Sequence, residues 1–215
     1  MRISLSHFAR FQSLHITKIV FCLLLSAFWL LPSANAQRLE VHLDKDLSTN
    51  TIAGKAWGAG AAIELDQLVK KMTFRINFDW SMYRKKEGIE NPNYQKMSGG
   101  ISALYTFNIA KNTEFLCGLD LNYTHLKYSY IISFDTIAKK PNTLQHKGNF
   151  IGMGTHFKLQ YKFTSRFNGS ISFVPVYLFP ISNKVSDGVS EPEYKKGLWL
   201  FPLRIGFSFL LFKQE

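Results

Sequence analysis

Three residues in the second half of this chain have side chains suited to acid–base chemistry: His156, Lys158 and Asp120. His156 and Lys158 stand two apart in FIGMGTHFKLQYKF, so an extended backbone turns both to one side. Asp120 has the matching parity in FLCGLDLNY. A carboxylate, an imidazole and an amine converging on one point could move protons for a lipid-modifying enzyme. The competing reading is a set of buried charges held in pairs, because an unpaired charge away from water is costly. Glu64, Arg75, Asp79 and Arg204 favour pairing. Each falls on the polar side of its own alternating run, and a short turn brings Glu64 opposite or diagonal to Arg75. The expectation is an internal charge network of Glu64, Arg75, Asp79, Asp120, His156, Lys158 and Arg204, with no catalytic residue.

Other reactive groups carry less. His125 and Ser129 share the parity of apolar neighbours and lack an orienting acid, so His125 reads as an interfacial histidine. His42 and His146 are isolated from further ligand types, and no metal or other cofactor is expected. Cys117 shares its side with Leu119 and Leu121 and reads as a small apolar residue. Gly152 and Gly154 lie within a strand pattern, where glycine accommodates bending or close packing, and do not form a phosphate loop.

The elements that must position these residues are strands. Alternating runs occupy approximately 38–46, 55–65, 72–84, 97–109, 115–131, 149–163, 167–181 and 197–212. In PLRIGFSFLLF, residues 202–212, Leu203, Ile205, Phe207, Phe209 and Leu211 fall on one face, with Arg204, Gly206 and Ser208 on the other. Short connections (DQLVKK, AKNTE, TSR) alternate with long polar ones (KKEGIENPNYQK, SFDTIAKKPNTLQHKG, SNKVSDGVSEPEYKK). Antiparallel neighbours then place all short turns at one end and all long loops at the other. An even strand count closes such a sheet, so RLEVHLDKD is taken as a strand and the fold as an eight-stranded antiparallel up-and-down β-barrel.

The two faces decide which solvent surrounds the barrel. One is small or polar, as in Ala56, Gly58, Gly60, Ala62 and Glu64, and suits a narrow lumen. The other is bulky throughout, as in Phe74, Ile76, Phe78 and Trp80, and would overfill eight strands if turned inward. It therefore faces lipid. Trp57, Trp80 and Trp199 lie near the long-loop ends as an aromatic girdle, and Phe107, Phe115, Tyr161, Phe163, Phe167 and Phe209 form a second girdle near the short turns. Pairing of Leu65 with Met72 would set Trp57 opposite Trp80.

The start of the chain fits export. Arg2, Arg10 and Lys18 precede a thirteen-residue, mostly apolar run from Ile19 to Leu31, followed by Ala34-Asn35-Ala36. This is the pattern of a signal peptide over residues 1–36, cleaved before Gln37, and the run is too short for a transmembrane helix. Cys22 lies inside that apolar run and is no lipidation site. The chain has 26 basic and 15 acidic residues. Cleavage removes three basic residues and no acid, leaving residues 37–215 as one barrel domain of charge +8 with Cys117 as its only cysteine. Such a domain can form no internal disulfide. Nucleic acid is excluded as a partner by export, and phosphate-bearing lipid headgroups match the charge better.

Signal peptide, eight strands, alternating loop lengths and turn–strand phrases such as YKFTSRFNGSISF resemble the small outer-membrane β-barrels of Gram-negative bacteria, the OmpX-like and OmpA-like group, in the style of the Bacteroidota barrel domain. The resemblance implies residence in the cell outer membrane and a closing aromatic, a part open to Phe212 although Lys213, Gln214 and Glu215 follow it. No periplasmic domain, and so no OmpA-like peptidoglycan anchor, is expected after the barrel. The expected role is a monomeric structural or surface-interaction protein with a filled polar lumen. Its long extracellular loops would meet a protein or host-surface partner. A narrow solute channel is the alternative, and a lipid-modifying enzyme the third reading. Basic residues gather at the long-loop ends. Lys85, Lys86, Lys195 and Lys196 are expected to form a rim facing lipopolysaccharide, with Lys55, Arg84, Lys96, Lys127, Lys147 and Lys184 nearby.

Overall fold

A computed structural model describes residues 36–48, 56–84, 93–135, 140–185 and 197–213. The expected signal peptide, but for its last residue, and the rim lysines Lys85, Lys86, Lys195 and Lys196 lie outside the described residues. The strands are β1 (Ala36–Asp46), β2 (Trp57–Val69), β3 (Met72–Arg84), β4 (Asn93–Ala110), β5 (Thr113–Asp135), β6 (Lys140–Lys162), β7 (Phe167–Phe173), β8 (Val176–Val185), β9 (Leu198–Leu200) and β10 (Pro202–Lys213). Each pairs antiparallel with its neighbours, and β1 closes the sheet against β10 from Ala36↔Lys213 to Asp46↔Pro202.

These ten elements form eight wall strands, because two of them are interrupted at proline. β7 and β8 are one strand broken at Val174-Pro175, and β9 and β10 are one strand broken at Phe201, before Pro202. Proline has no N–H to give the ladder. Neighbouring groups keep the wall bonded across the breaks: Val174 N–H donates to the Pro202 carbonyl at 2.9 Å and Thr155 N–H to the Pro175 carbonyl at 3.1 Å. Following the ladder from Leu198 through Leu178, Gly152, Asn122, Gly100, Asn77, Ala62 and Glu40 returns to the starting wall strand at Ser208, ten residues further on. A shear of that size in eight strands corresponds to a strand tilt of roughly 40°.

Side chains alternate as the sequence pattern requires. In β10, Ile205, Phe207 and Phe209 are exposed on the outer face, whereas Arg204, Gly206 and Ser208 are buried inside. Large apolar side chains stand exposed all around the wall, among them Leu43, Phe78, Ile101, Leu119, Met153 and Ile171. An apolar exterior that continuous suits acyl chains and not water.

Three expectations change. The DQLV segment continues β2, with an irregularity between Asp66 and Val69, so the turn is Lys70-Lys71 with Lys71 at φ 63°. Leu65 therefore pairs with Phe74, and Trp80 faces Ala59, with Trp57 opposite Met82. Lys96, assigned to the rim, is buried inside the barrel beside Asp44. The interior is also not polar throughout, since Ala56, Tyr94, Leu126, Phe150, Val176, Leu178 and Leu200 form a buried apolar cluster.

Gly154 sits where the wall bends. A Cβ there would lie 2.2 Å from the Pro175 carbonyl oxygen and 2.8 Å from Val176 Cα. At Gly99 the nearest atom to such a Cβ is 3.8 Å away. Gly154→Val should therefore destabilise the barrel by about 1–3 kcal/mol, with Gly99→Ala close to neutral. Urea unfolding in lipid vesicles, followed by the heat-modifiable gel migration expected of a closed barrel, measures both. Equal midpoints for the two variants would contradict the close approach.

Candidate functional site

The interior holds the densest polar chemistry of the described residues. Strand alternation turns Glu40, His42 and Asp44 of β1 inward, with Glu64 of β2 and Arg75, Asn77, Asp79 and Ser81 of β3. Glu64 and Arg75 face each other directly in the register of β2 and β3. Their ion pair is 3.3 Å long, and Arg75 makes a closer contact of 2.9 Å with Glu40. Lys158 reaches across the lumen from β6 to Glu40 at 2.6 Å and Glu64 at 2.5 Å. Two carboxylates and two cations thus alternate, all of them at most 1% exposed. Glu64 has two cationic partners where the sequence pointed to one.

A second group lies alongside. Asp79 takes Arg204 at 2.9 Å, the Asn77 amide at 2.7 Å and His42 Nε2 at 2.6 Å. The other ring nitrogen of His42 is 3.3 Å from Glu40, which joins the two groups. Gly60 makes the room, for a Cβ there would stand 2.4 Å from His42 Nε2. Asp44 extends the network to Lys96 at 3.2 Å and Ser81 at 3.1 Å. Glu40, His42, Asp44 and Lys96 were absent from the sequence assignment. The alternation of Glu40, His42 and Asp44 against Leu39, Val41 and Leu43 was the available signal.

Asp120 and His156 form a third, looser group. Ser102 donates to Asp120 at 2.7 Å, and the Asn122 amide donates at 3.0 Å. His156 Nδ1 is 3.4 Å from Ser102 Oγ and 3.9 Å from Asp120. In a nucleophile–base–orienter set the imidazole stands between hydroxyl and acid. Here the hydroxyl already gives its proton to the acid, and the imidazole lies to one side. His156, Lys158 and Asp120 are also divided among different partners and do not converge on one reacting point. The arrangement fixes charges in place more readily than it moves protons.

Outside, Trp57, Trp80 and Trp199 are all exposed on the lipid-facing side, with Lys45 Nζ 5.1 Å from the Trp57 ring centre. Tyr177, Trp199, Phe201 and Phe173 continue in aromatic contact at centroid distances of 5.2, 6.0 and 6.4 Å. Near the short turns, Phe167 stacks on Phe207 at 5.5 Å and on Phe163 at 5.4 Å.

Truncating one member of the four-charge group leaves its partners buried with a surplus of one sign. Arg75→Met should cost about 3–5 kcal/mol, and adding Glu64→Gln should recover part of that loss by removing the surplus carboxylate. Urea midpoints of the folded barrel in vesicles test this. A double variant no more stable than Arg75→Met would show that the charges are not coupled.

No protein-family model matches the chain, and no curated protein matches it in sequence. Solved structures do match in fold. Neisserial surface protein A is 13% identical, with a TM-score of 0.50 over 80% of this chain and 94% of that one. A major outer membrane protein from Thermus thermophilus is 12% identical, with a TM-score of 0.54 over 82% of this chain and all of that one. The shared architecture and the continuous apolar exterior together give this chain the fold of the small outer-membrane β-barrels.

Proposed function

We propose that this barrel is a non-conducting surface protein of the outer membrane, whose lumen is filled and whose long loops meet a partner outside. The observation that carries the reading is the double obstruction of the interior. The charge network spans the lumen from β1, β2 and β3 to β6, and the seven residues of the apolar cluster are each at most 6% exposed. Hydrated ions would have to break buried ion pairs and also cross an apolar layer, both unfavourable.

The outward reach of one hairpin supports the second half of the reading. β5 and β6 have 23 residues each, against 13 in β2 and β3. The described pairing of β4 with β5 ends at Asn93↔Ser129, and that of β8 with β6 ends at His146↔Val185. Beyond those pairs, residues 130–135 and 140–144 pair only with each other among the described residues, and Gln145 pairs with Ser129. Six further residues of β5 reach about 20 Å beyond that pairing. A two-stranded ribbon that extends past the described pairing of β4 and β8 is suited to contact with another macromolecule. One barrel of similar fold carries the name of a surface protein. The serine, histidine and acid inside offer no open reacting site, which favours binding over catalysis.

Reconstitution in planar bilayers should give no unitary conductance, and an epitope inserted within residues 136–139 should be stained on intact cells. Regular channel steps would overturn the filled-lumen reading in favour of a narrow channel. An epitope reached only after permeabilisation would overturn the outward orientation.

A further inference from the structure

The pairing of β5, β6 and β8 sets three lysines side by side. Lys127 stands opposite Lys147, and Lys147 stands opposite Lys184 on the next strand. Neighbouring strands are about 4.8 Å apart, so three positive residues fall within about 10 Å along one row of the wall. Like charges directly opposite each other in a sheet are unfavourable. Three other lysines near strand ends have partners: Lys45 lies over Trp57, Lys96 pairs with Asp44, and Lys162 pairs with Glu114. Lys127 and Lys147 are exposed, and no carboxylate pairs with either among the described residues.

The rows beneath identify the surroundings of this one. One step toward the barrel middle, on the same outer face, His125, Asn149 and Ser182 form a hydrogen-bonded chain across the same three strands. His125 Nδ1 to Asn149 Oδ1 is 2.8 Å, and the Asn149 amide donates to Ser182 at 2.9 Å. One step further, the row is Tyr123, Ile151 and Phe179. Apolar, neutral polar and cationic rows thus follow one another, about 7 Å apart along the strands. The same sequence of environments runs from acyl chains through the glycerol or sugar level to phosphate in one leaflet of a membrane.

We propose that the row Lys127–Lys147–Lys184 is a binding site for the phosphate groups of a phosphorylated outer-leaflet glycolipid of the lipid A class. A phosphate monoester carries nearly two negative charges, enough to relieve repulsion between adjacent lysines. The hydrogen-bonded row below meets the sugar, and the apolar row meets the acyl chains. The proposal rests on the outward orientation of the long loops, which the inserted epitope tests separately.

The experiment uses the intact barrel in nanodiscs, with lipid retention read by native mass spectrometry. Wild type should retain bisphosphorylated lipid A at least tenfold better than the dephosphorylated lipid. Lys147→Gln should lose most of that preference, Lys147→Arg should keep it, and Lys70→Gln/Lys71→Gln at the opposite end should leave it unchanged. Heat-modifiable migration verifies that each variant is folded, and the wild-type lipid comparison decides the question if Lys147→Gln is not. Equal retention of the two lipids by wild type would overturn the proposal. So would a loss in Lys70→Gln/Lys71→Gln equal to that in Lys147→Gln, which would reduce the effect to general charge. Displacement of the bound lipid by an equal concentration of inorganic phosphate would make the row a free-anion site and overturn the lipid assignment.

Discussion

Hydrocarbon offers backbone groups no hydrogen-bonding partner, so a sheet that crosses it must have no open edge. In this barrel that requirement falls on the seam between β1 and β10, which runs from Ala36↔Lys213 to Asp46↔Pro202. Every other feature depends on the seam. It sets the shear, the shear sets the tilt, and the tilt decides which inward residues meet across the lumen. β1 also brings Glu40, His42 and Asp44, three members of the interior network, into place. One short strand therefore supplies both the closure of the wall and much of the chemistry inside it.

The network returns something to the wall. Buried ion pairs offset the cost of taking charges out of water but seldom exceed it, so their weight lies less in net stability than in what a wrong arrangement would cost. A one-residue slip of a strand turns its whole inner face outward. For β3 a slip would carry Arg75 and Asp79 into lipid, far from Glu40, Glu64, His42 and Arg204. The penalty for that state exceeds anything an apolar interior could impose. Lys158, reaching across from β6, extends the constraint to strands that do not touch β1 or β2 in the sheet. Charge inside and lipid outside thus act together to select one register.

What could be read in the sequence follows from what repeats. Period-two alternation is repeated along every strand, and Glu64, Arg75, Lys158 and Arg204 are buried inside the barrel. Features decided by a single local event were not legible. The irregularity between Asp66 and Val69 moved the β2–β3 turn to Lys70-Lys71 and shifted Trp57 away from Trp80. The breaks at Pro175 and Pro202 divide two wall strands without ending them, since neighbouring carbonyls still accept across the gaps. Lys96 looks like any loop-end lysine until the register places it beside Asp44, a partner 52 residues away in sequence. The apolar cluster leaves no continuous run in the sequence because its members come from strands far apart in the chain. Val176, Leu178 and Leu200 have inward parity, yet their character resembles the outer face.

That cluster changes how the barrel divides its work. A lumen with charges alone could admit water between them, and the pairs would weaken as the local dielectric rose. Tyr94, Leu126, Phe150 and Leu178 exclude water from part of the interior and leave the ion pairs in a medium where they hold firmly. On the proposed reading, partner recognition belongs to the outer face and to the hairpin of β5 and β6, whose pairing continues past Ser129 and His146. There Lys127 and Lys147 have no carboxylate partner among the described residues, and the ladder past Ser129 and His146 has no third strand among them. Charge buried in this molecule is paired from within, whereas on the proposed reading the exposed lysines of the β5–β6–β8 row are left for the membrane surface to pair.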